Sequence, residues 1–347
     1  MSAFMGWATA ADQLAPLTSL PAQMQELGRS TCLIRTATPS NCSNGPSRPR
    51  SEGVVMQFDI ETLASGLGHP EGPDVLPDGR IVMVETYTSK IVAWSPDRGI
   101  HDYALCGGGP NACMLGSDGA IYITQNGGTV GAWKAEVMST PSIQKAWPDG
   151  RVETLVEEVD GVLLQAPNDL TFGPDGRLYF TDPGDYYPDD RSTGRLFVLN
   201  PDGTGELLEE IPNAYPNGIV AEPDGSIVWV ESYDRGVYRR KPDGVSQLIH
   251  VMPENHVPDG LKIAADGSLW ITAFMGGGID IVAPDGTAID FLETGGVPLN
   301  CIFVGNSLVI TDFGDVTAVT DQAPMGGRLW RVPVGVEGMP LFRGKVG

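Results

Sequence analysis

NDLTFGPDGRLYFTDP, residues 168–183, reads as a short strand, an Asp-Gly turn, and a second strand rich in aromatic and β-branched residues. That is a hairpin signature. The same pattern recurs along the chain. EGPDVLPDGRIVMVET begins at Glu71, NACMLGSDGAIYITQN at Asn111, NGIVAEPDGSIVWVES at Asn217 and DGLKIAADGSLWITAF at Asp259. A shortened copy, NCIFVGNSLVITDF, begins at Asn300. In five copies the first residue, here called the lead, stands seven before the turn aspartate. Successive leads are 40, 57, 49, 42 and 41 residues apart.

Most copies add a third strand closed by another turn, as at SPDRG (95–99), NPDG (200–203), KPDG (241–244) and APDG (283–286). A fourth strand follows, such as GELLEEI or TAIDFLE. Four antiparallel strands per repeat of this length predict propeller blades rather than a helical solenoid. Six leads predict an all-β, six-bladed β-propeller with four-stranded antiparallel blades around a central channel. The strand at Gln57–Ala64 is expected to complete the blade of GRLWRVPV (327–334) and close the ring without a free edge.

The domain reading is a propeller over 56–334, preceded by an N-terminal extension (1–55) and followed by a C-terminal tail (335–347). Residues 36–52, TATPSNCSNGPSRPRSE, carry almost nothing apolar to offset the entropy of ordering and read as a flexible linker. A short helix is conceivable over 8–28, interrupted by Pro16 and Pro21. Met56 opens the first clean strand and would serve as a natural start.

Composition narrows the function. The 44 Asp and Glu residues against 22 Lys and Arg give a net charge of −22. Such a chain repels phosphate backbones and anionic lipid, so neither nucleic acid nor a membrane surface is expected as a partner. No apolar run approaches the ~18 residues of a membrane helix. No basic segment followed by an apolar stretch marks a secretory signal. Five cysteines, an odd number without a CxxC pair, argue against a disulfide framework or a thiolate zinc site. A cytoplasmic protein with unreactive thiols, monomeric or weakly homo-oligomeric, is the expectation.

Propeller topology brings the starts of the innermost strands to one face of the channel. Glu71, Asn111, Asn168, Asn217, Asp259 and Asn300 should therefore form a ring of side-chain oxygens with two negative charges. Asn and Asp also begin strands for local backbone reasons. Six together suit a hard divalent cation: Ca²⁺ first, with Zn²⁺, Mn²⁺ or Mg²⁺ as alternatives. Seven residues after each turn aspartate, the next strand returns to that face at Glu85, Gln125, Asp182, Glu231 and Ala273, with Asp312 as the counterpart in the short copy. These are candidates to orient the ring residues from behind. His69 and His256 lie two and three residues before their leads and are candidate proton relays, whereas His101 and His250 fall in outer strands. Tyr87, Tyr186, Tyr187, Tyr233, Phe274 and Phe313 are placed to form an apolar mouth above the ring. Nothing has the context of a phosphate loop or a nucleophilic serine elbow.

The starts EGP (71–73), NDL (168–170), PNGI (216–219) and PDGLK (258–262), together with LYFTDP (178–183), resemble the senescence-marker-protein/gluconolactonase/luciferin-regenerating-enzyme family over about residues 57–334. The resemblance implies one divalent ion in the channel, held by Glu71, Asn217 and Asp259, with Asn168 completing the coordination or bridging to substrate. It implies lactone hydrolysis with Asp259 as general base. One departure stands out. Sugar-lactone members carry an Arg two residues before the conserved Asn, where this chain has Ala166. Their acidic substrate contact about eighteen residues after that Asn falls near Tyr186. A more apolar or aromatic lactone or ester is the consequent expectation.

Asn111, Asn168, Asn300, Tyr87, Tyr186, Tyr233 and Phe274 are the candidate substrate contacts. Two other readings stay open at this point: the same metal site used for isomerisation, elimination or cyclisation through an enolate, and a non-catalytic binding propeller. Inserts at 127–147 and 315–326 leave the same side of the propeller and are candidates for setting specificity.

Overall fold

Each Asp-Gly turn works by the same local chemistry. The aspartate carboxylate accepts the N–H two residues on, as Asp78 does from Arg80 (3.1 Å) and Asp175 from Arg177 (3.1 Å). The glycine takes the left-handed backbone, φ +85° at Gly79 and +77° at Gly176. The computed structural model describes residues 29–36, 57–131, 133–314 and 325–347. Its hairpins assemble into six four-stranded antiparallel blades in chain order, with inner strands at Pro70–Val75, Pro110–Leu115, Leu170–Phe172, Pro216–Ala221, Pro258–Ile263 and Pro298–Val304. Proline suits these starts because an inner strand has one unpaired edge, where a missing N–H costs nothing.

The second strands, such as Ile81–Glu85, Ile121–Gln125 and Ile227–Glu231, are buried along their whole length. Both faces of each blade pack on a neighbour, so these strands are continuous apolar runs and do not alternate. One resulting interblade core joins Val82, Val84 and Ile91 of blade 1 to Cys113, Ile121 and Ile123 of blade 2. Hydroxyls in or just after the second strands lace the blades together. Thr86 donates to Pro110 O (2.8 Å), Thr124 to Asn168 O (2.5 Å), Thr181 to Asn217 O (2.8 Å), Ser232 to Pro258 O (2.8 Å) and Thr272 to Leu299 O (2.7 Å). Each bond runs from one blade to the inner strand of the next, so the ring residues are positioned by their neighbours as well as by their own blade.

The sixth blade closes as the sequence predicts: Gln57–Leu67 pairs antiparallel with Gly327–Val332. Within the segment read as an extension, Arg29–Thr36 forms a further strand. It pairs with Gln57–Leu67 on one side and with Ala288–Glu293 of blade 5 on the other. The helix read over 8–28 lies outside the described residues, as do the linker beyond Thr36 and most of the 315–326 insert.

The C-terminal tail crosses the end of the channel opposite the leads. Met339 N–H donates to Ile263 O, Ser117 N–H to Gly344 O, and Gly347 N–H to Pro201 O, touching three blades in turn. Val346 is buried beside Tyr122, whose hydroxyl accepts its N–H at 2.8 Å. Arg343 pairs with the buried Asp74 through both terminal nitrogens. A cavity of about 360 Å³, lined by Lys262, Phe303, Glu337 and Arg343 among others, lies between tail and channel, at the far end from the ring.

Cys106, Cys113 and Cys301 are buried free thiols. Burial pushes Cys106 and Cys301 up to about 12 and raises Cys113 well above the ordinary thiol value. The thiolate is the reactive form. At pH 8 the native protein should therefore release at most two of its five thiols to Ellman's reagent, and a third fast-reacting thiol would contradict this packing.

Candidate active site

The leads converge. Glu71 lies close enough to Asp259 and Asp169 for both carboxylates to act on it, and it hydrogen-bonds Asn300 and the Gly72 N–H. Asp259, half-buried on the channel wall, hydrogen-bonds Asn217. Burial, then the charges of Asp259 and Asp169, raise Glu71 well above the usual carboxylate range. Burial and the Asp169 charge push Asp259 up to about 8. Neither carboxylate has an ion pair with a cationic side chain among the described residues.

The amides divide by role. Asn217 is buried, donates to Ser232 Oγ at 3.2 Å and faces Asp259. Asn168 Nδ2 reaches the Tyr215 hydroxyl at 3.5 Å. Asn111 turns sideways and donates to Asn168 O (3.1 Å), tying blade 2 to blade 3. Asn300 donates to Asp169 Oδ2 (3.3 Å), while its own oxygen accepts from Cys301 N–H (2.9 Å) and Lys262 Nζ (3.3 Å). Asn111 is thus tied to the next blade and Asn300 braces Glu71 and Asp169, leaving Glu71, Asn168, Asn217 and Asp259 as the candidate set.

Asp169 is the channel residue that the lead spacing does not find. Positions one after the leads sit between adjacent inner strands and are small elsewhere: Gly72, Ala112, Gly218, Gly260 and Cys301. A Cβ on Gly260 would come within 2.2 Å of the Asn300 side chain, and one on Gly218 within 2.4 Å of Asp259 O. An aspartate at such a position, in NDL, is the outlier that could have flagged it. Asp169 is buried; burial raises its carboxyl, and the Lys262 ammonium offsets part of that.

The residues expected to orient the ring from behind hold its entry loops. Glu85 accepts from Gly68 N–H (2.7 Å), Gln125 from Gly109 (2.6 Å), Asp182 from Ala166 (2.7 Å), Glu231 from Tyr215 (2.7 Å) and Asp312 from Val297 (2.6 Å). Each acceptor caps the two or three residues that precede its own blade's lead. Burial raises Asp182, Glu231 and Asp312 above their ordinary values. Ala273, without a polar atom, has no such bond.

The two candidate histidines part company. His69, in the left-handed conformation at φ +58°, packs tilted against Tyr87 (5.0 Å between centroids) and edge-on to Phe313 (5.1 Å) at the mouth, and burial lowers it to about 4. It is neutral at pH 7. His256 points instead to the outer strands of blade 5: Nδ1 lies 2.7 Å from Asp280 Oδ2 and the ring packs on Phe291 at 4.7 Å. The aromatic candidates do gather at the mouth. Phe274 lies 6.4 Å from Phe313, and Tyr186 lies 5.2 Å from Tyr233. Tyr215 and Trp133, which the sequence reading did not single out, join them.

Among the described residues, no three His, Cys, Asp or Glu side chains form a metal cage on their own. The candidate set combines two carboxylates with amide oxygens, a donor chemistry that fits a hard cation. Two like charges, one buried and one half-buried, with no cationic partner among the described residues fit the same conclusion, because a cation would relieve both desolvation and repulsion.

The chain resembles several known proteins. A gluconolactonase of Zymomonas mobilis is 28% identical over 313 residues, covering 78% of this chain and 84% of its own. The pentonolactonase XacC of Haloferax volcanii is 25% identical, with 80% and 94% covered. The calcium-binding protein regucalcin of Agrobacterium tumefaciens shares the fold at a TM-score of 0.65 and 19% identity, covering 82% of this chain and 96% of that one. The family model for the SMP-30/gluconolactonase/LRE-like region matches residues 69–312. With that match spanning more than half of the sequence, the chain belongs to the SMP-30/gluconolactonase/LRE-like family.

Proposed function

We propose that the protein is a divalent-metal-dependent lactonase. The observation that carries the reading is the convergence of two carboxylates, the buried Glu71 and the half-buried Asp259, at one end of the channel, with no cationic side chain among the described residues paired to either. The lactonase names of the two sequence relatives support it. Glu71, Asn168, Asn217 and Asp259 would hold the ion, with Ca²⁺ favoured by the all-oxygen donor set. When bound, such an ion supplies Lewis acidity toward a lactone carbonyl and neutralises the carboxylates.

The side chains do the rest. Asp259, in its ionised form, would accept a proton from the attacking water as general base. Water adds at the acyl carbon, the acyl C–O bond breaks, and the ring oxygen leaves as a hydroxyl, taking up the proton that Asp259 accepted. The aromatic mouth excludes bulk water from the site, and His69, neutral and packed against Tyr87 and Phe313, belongs to that mouth.

Treatment with a chelator should abolish hydrolysis of a small lactone panel, and Ca²⁺ should restore it to at least half its starting rate, with Mn²⁺ or Zn²⁺ as comparisons. Turnover that survives rigorous chelation would remove the metal from the mechanism. No turnover on any lactone with metal bound would shift the assignment to non-hydrolytic chemistry at the same ring.

A further inference from the structure

The mouth above the ring is built from two aromatic walls. Tyr87 of blade 1 lies 5.0 Å from Trp133, carried by the insert of blade 2, and 6.3 Å from Phe313 of blade 6. On the other side Tyr186 of blade 3 meets Tyr215 and Tyr233 of blade 4, with centroids 5.0 and 5.2 Å away. In a ring of six, blades 1 and 6 stand opposite blades 4 and 3, so the walls face each other across the channel. The second wall borders the reacting centre directly. Tyr215 contacts Asn168, and both Tyr215 and Tyr186 lie close enough to Asp259 for its charge to act on them.

Two of the wall hydroxyls are engaged by the scaffold. The Tyr233 hydroxyl accepts the Tyr187 N–H at 2.9 Å, and the Tyr215 hydroxyl faces Asn168. Arg191 lies over the Tyr233 ring and is paired with Asp234 at 2.9 Å. At the position two before Asn168, the buried Ala166 offers only a methyl group, its N–H being held by Asp182. A polyhydroxylated lactone entering here would set its hydroxyls against ring faces, leaving hydrogen bonds to water unreplaced. A flat aromatic ring would find edge and face contacts on both sides.

We propose that this mouth selects lactones fused to an aromatic ring and discriminates against polyhydroxylated ones. The inference rests on the lactonase reading above and adds the substrate class. The test uses calcium-loaded full-length protein and three six-membered lactones that each release an alcohol: 3-isochromanone, δ-valerolactone and glucono-δ-lactone, corrected for spontaneous hydrolysis. The benzo-fused lactone should exceed each of the others in kcat/KM by about 30-fold. Trp133→Ala should lower the ratio of kcat/KM for 3-isochromanone to that for δ-valerolactone by about tenfold, mainly through KM, and Trp133→Phe should recover most of it.

Equal or better use of glucono-δ-lactone, or a ratio unmoved by Trp133→Ala, overturns the substrate class while leaving the lactonase reading intact. If no lactone turns over, the lactonase reading fails, and binding of 3-isochromanone followed by intrinsic fluorescence decides the mouth by itself. A Kd at least tenfold weaker in Trp133→Ala than in wild type supports the aromatic walls; equal values overturn them.

Discussion

Asp259→Asn is expected to lower lactone hydrolysis by about a thousandfold while raising the melting temperature of the metal-free protein. The first effect follows from removing the proposed proton acceptor and one of the two carboxylates proposed to hold the cation. The second comes from proton linkage. An unfolded Asp releases its proton near 3.8, but burial and the Asp169 charge hold folded Asp259 up to about 8. A group raised in this way gives its full stability below pH 3.8 and loses it progressively up to about pH 8. At pH 7 most of that loss is present.

An asparagine cannot ionise and escapes this loss, so the metal-free variant should gain about 2 kcal/mol, or roughly 4 °C. With Ca²⁺ at a hundred times its Kd, the wild type recovers about 2.7 kcal/mol by mass action and the order reverses. Scanning calorimetry of both proteins at pH 5 and 7, with chelator and with Ca²⁺, reads all four terms. A metal-free variant that melts below wild type at pH 7, or one that keeps full activity, would refute the assignment of Asp259.

Arg343→Ala should destabilise the protein by about 3 kcal/mol and lower its melting temperature by roughly 6 °C. Asp74 is 1% exposed, and its carboxylate also accepts Val75 N–H (2.7 Å) and Leu115 N–H (2.7 Å). The Arg343 guanidinium supplies the only ion pair of Asp74 among the described residues and also donates to Leu115 O at 2.9 Å. Truncating it leaves a buried charge with two backbone N–H donors but no cationic partner among the described residues. Arg343→Lys keeps the charge but not the two-pronged geometry and should fall between. Asp74→Asn combined with Arg343→Met should recover part of the loss, since the stranded charge goes with the arginine. Arg343 lies at the far end of the channel from Asp259, so activity per folded molecule should stay within twofold. A loss below 1 kcal/mol in urea titration would mean that the tail is not fastened through this pair.

The fold was legible because Asp-Gly turns impose a local requirement that survives sequence drift. A left-handed glycine after a capping aspartate marks a hairpin without reference to anything distant. Counting back from those turns found Glu71, Asn168, Asn217 and Asp259, since strand length fixes which residue returns to a given face. The same count could not say what Asn111 and Asn300 bond to, because their partners lie in neighbouring blades. It passed over Asp169, which is unusual only once Gly260 and Gly218 are seen pressed against adjacent strands. It placed Glu85, Glu231 and Asp312 at the right height but could not tell that they hold loops. His256 lies outside a regular strand, so no periodicity says which way its ring turns. The tail from Gly335 onward has no repeat and little pattern, and its place across the channel is purely tertiary.

Closure of the sixth blade bears on how this chain is made. Its outer strand, Gln57–Leu67, leaves the ribosome long before its partner, Gly327–Val332, roughly 260 residues later. At bacterial or eukaryotic elongation rates the early strand waits roughly 13 to 50 s with one edge unpaired. Blades 1 to 5 can stack during that interval, but the ring carrying Glu71 and Asp259 cannot lock until synthesis is nearly finished. A nascent chain stalled before Gly327 should therefore be sensitive to protease at its N-terminal strand and unable to retain the cation, and it becomes a candidate client for chaperones that shield open strand edges.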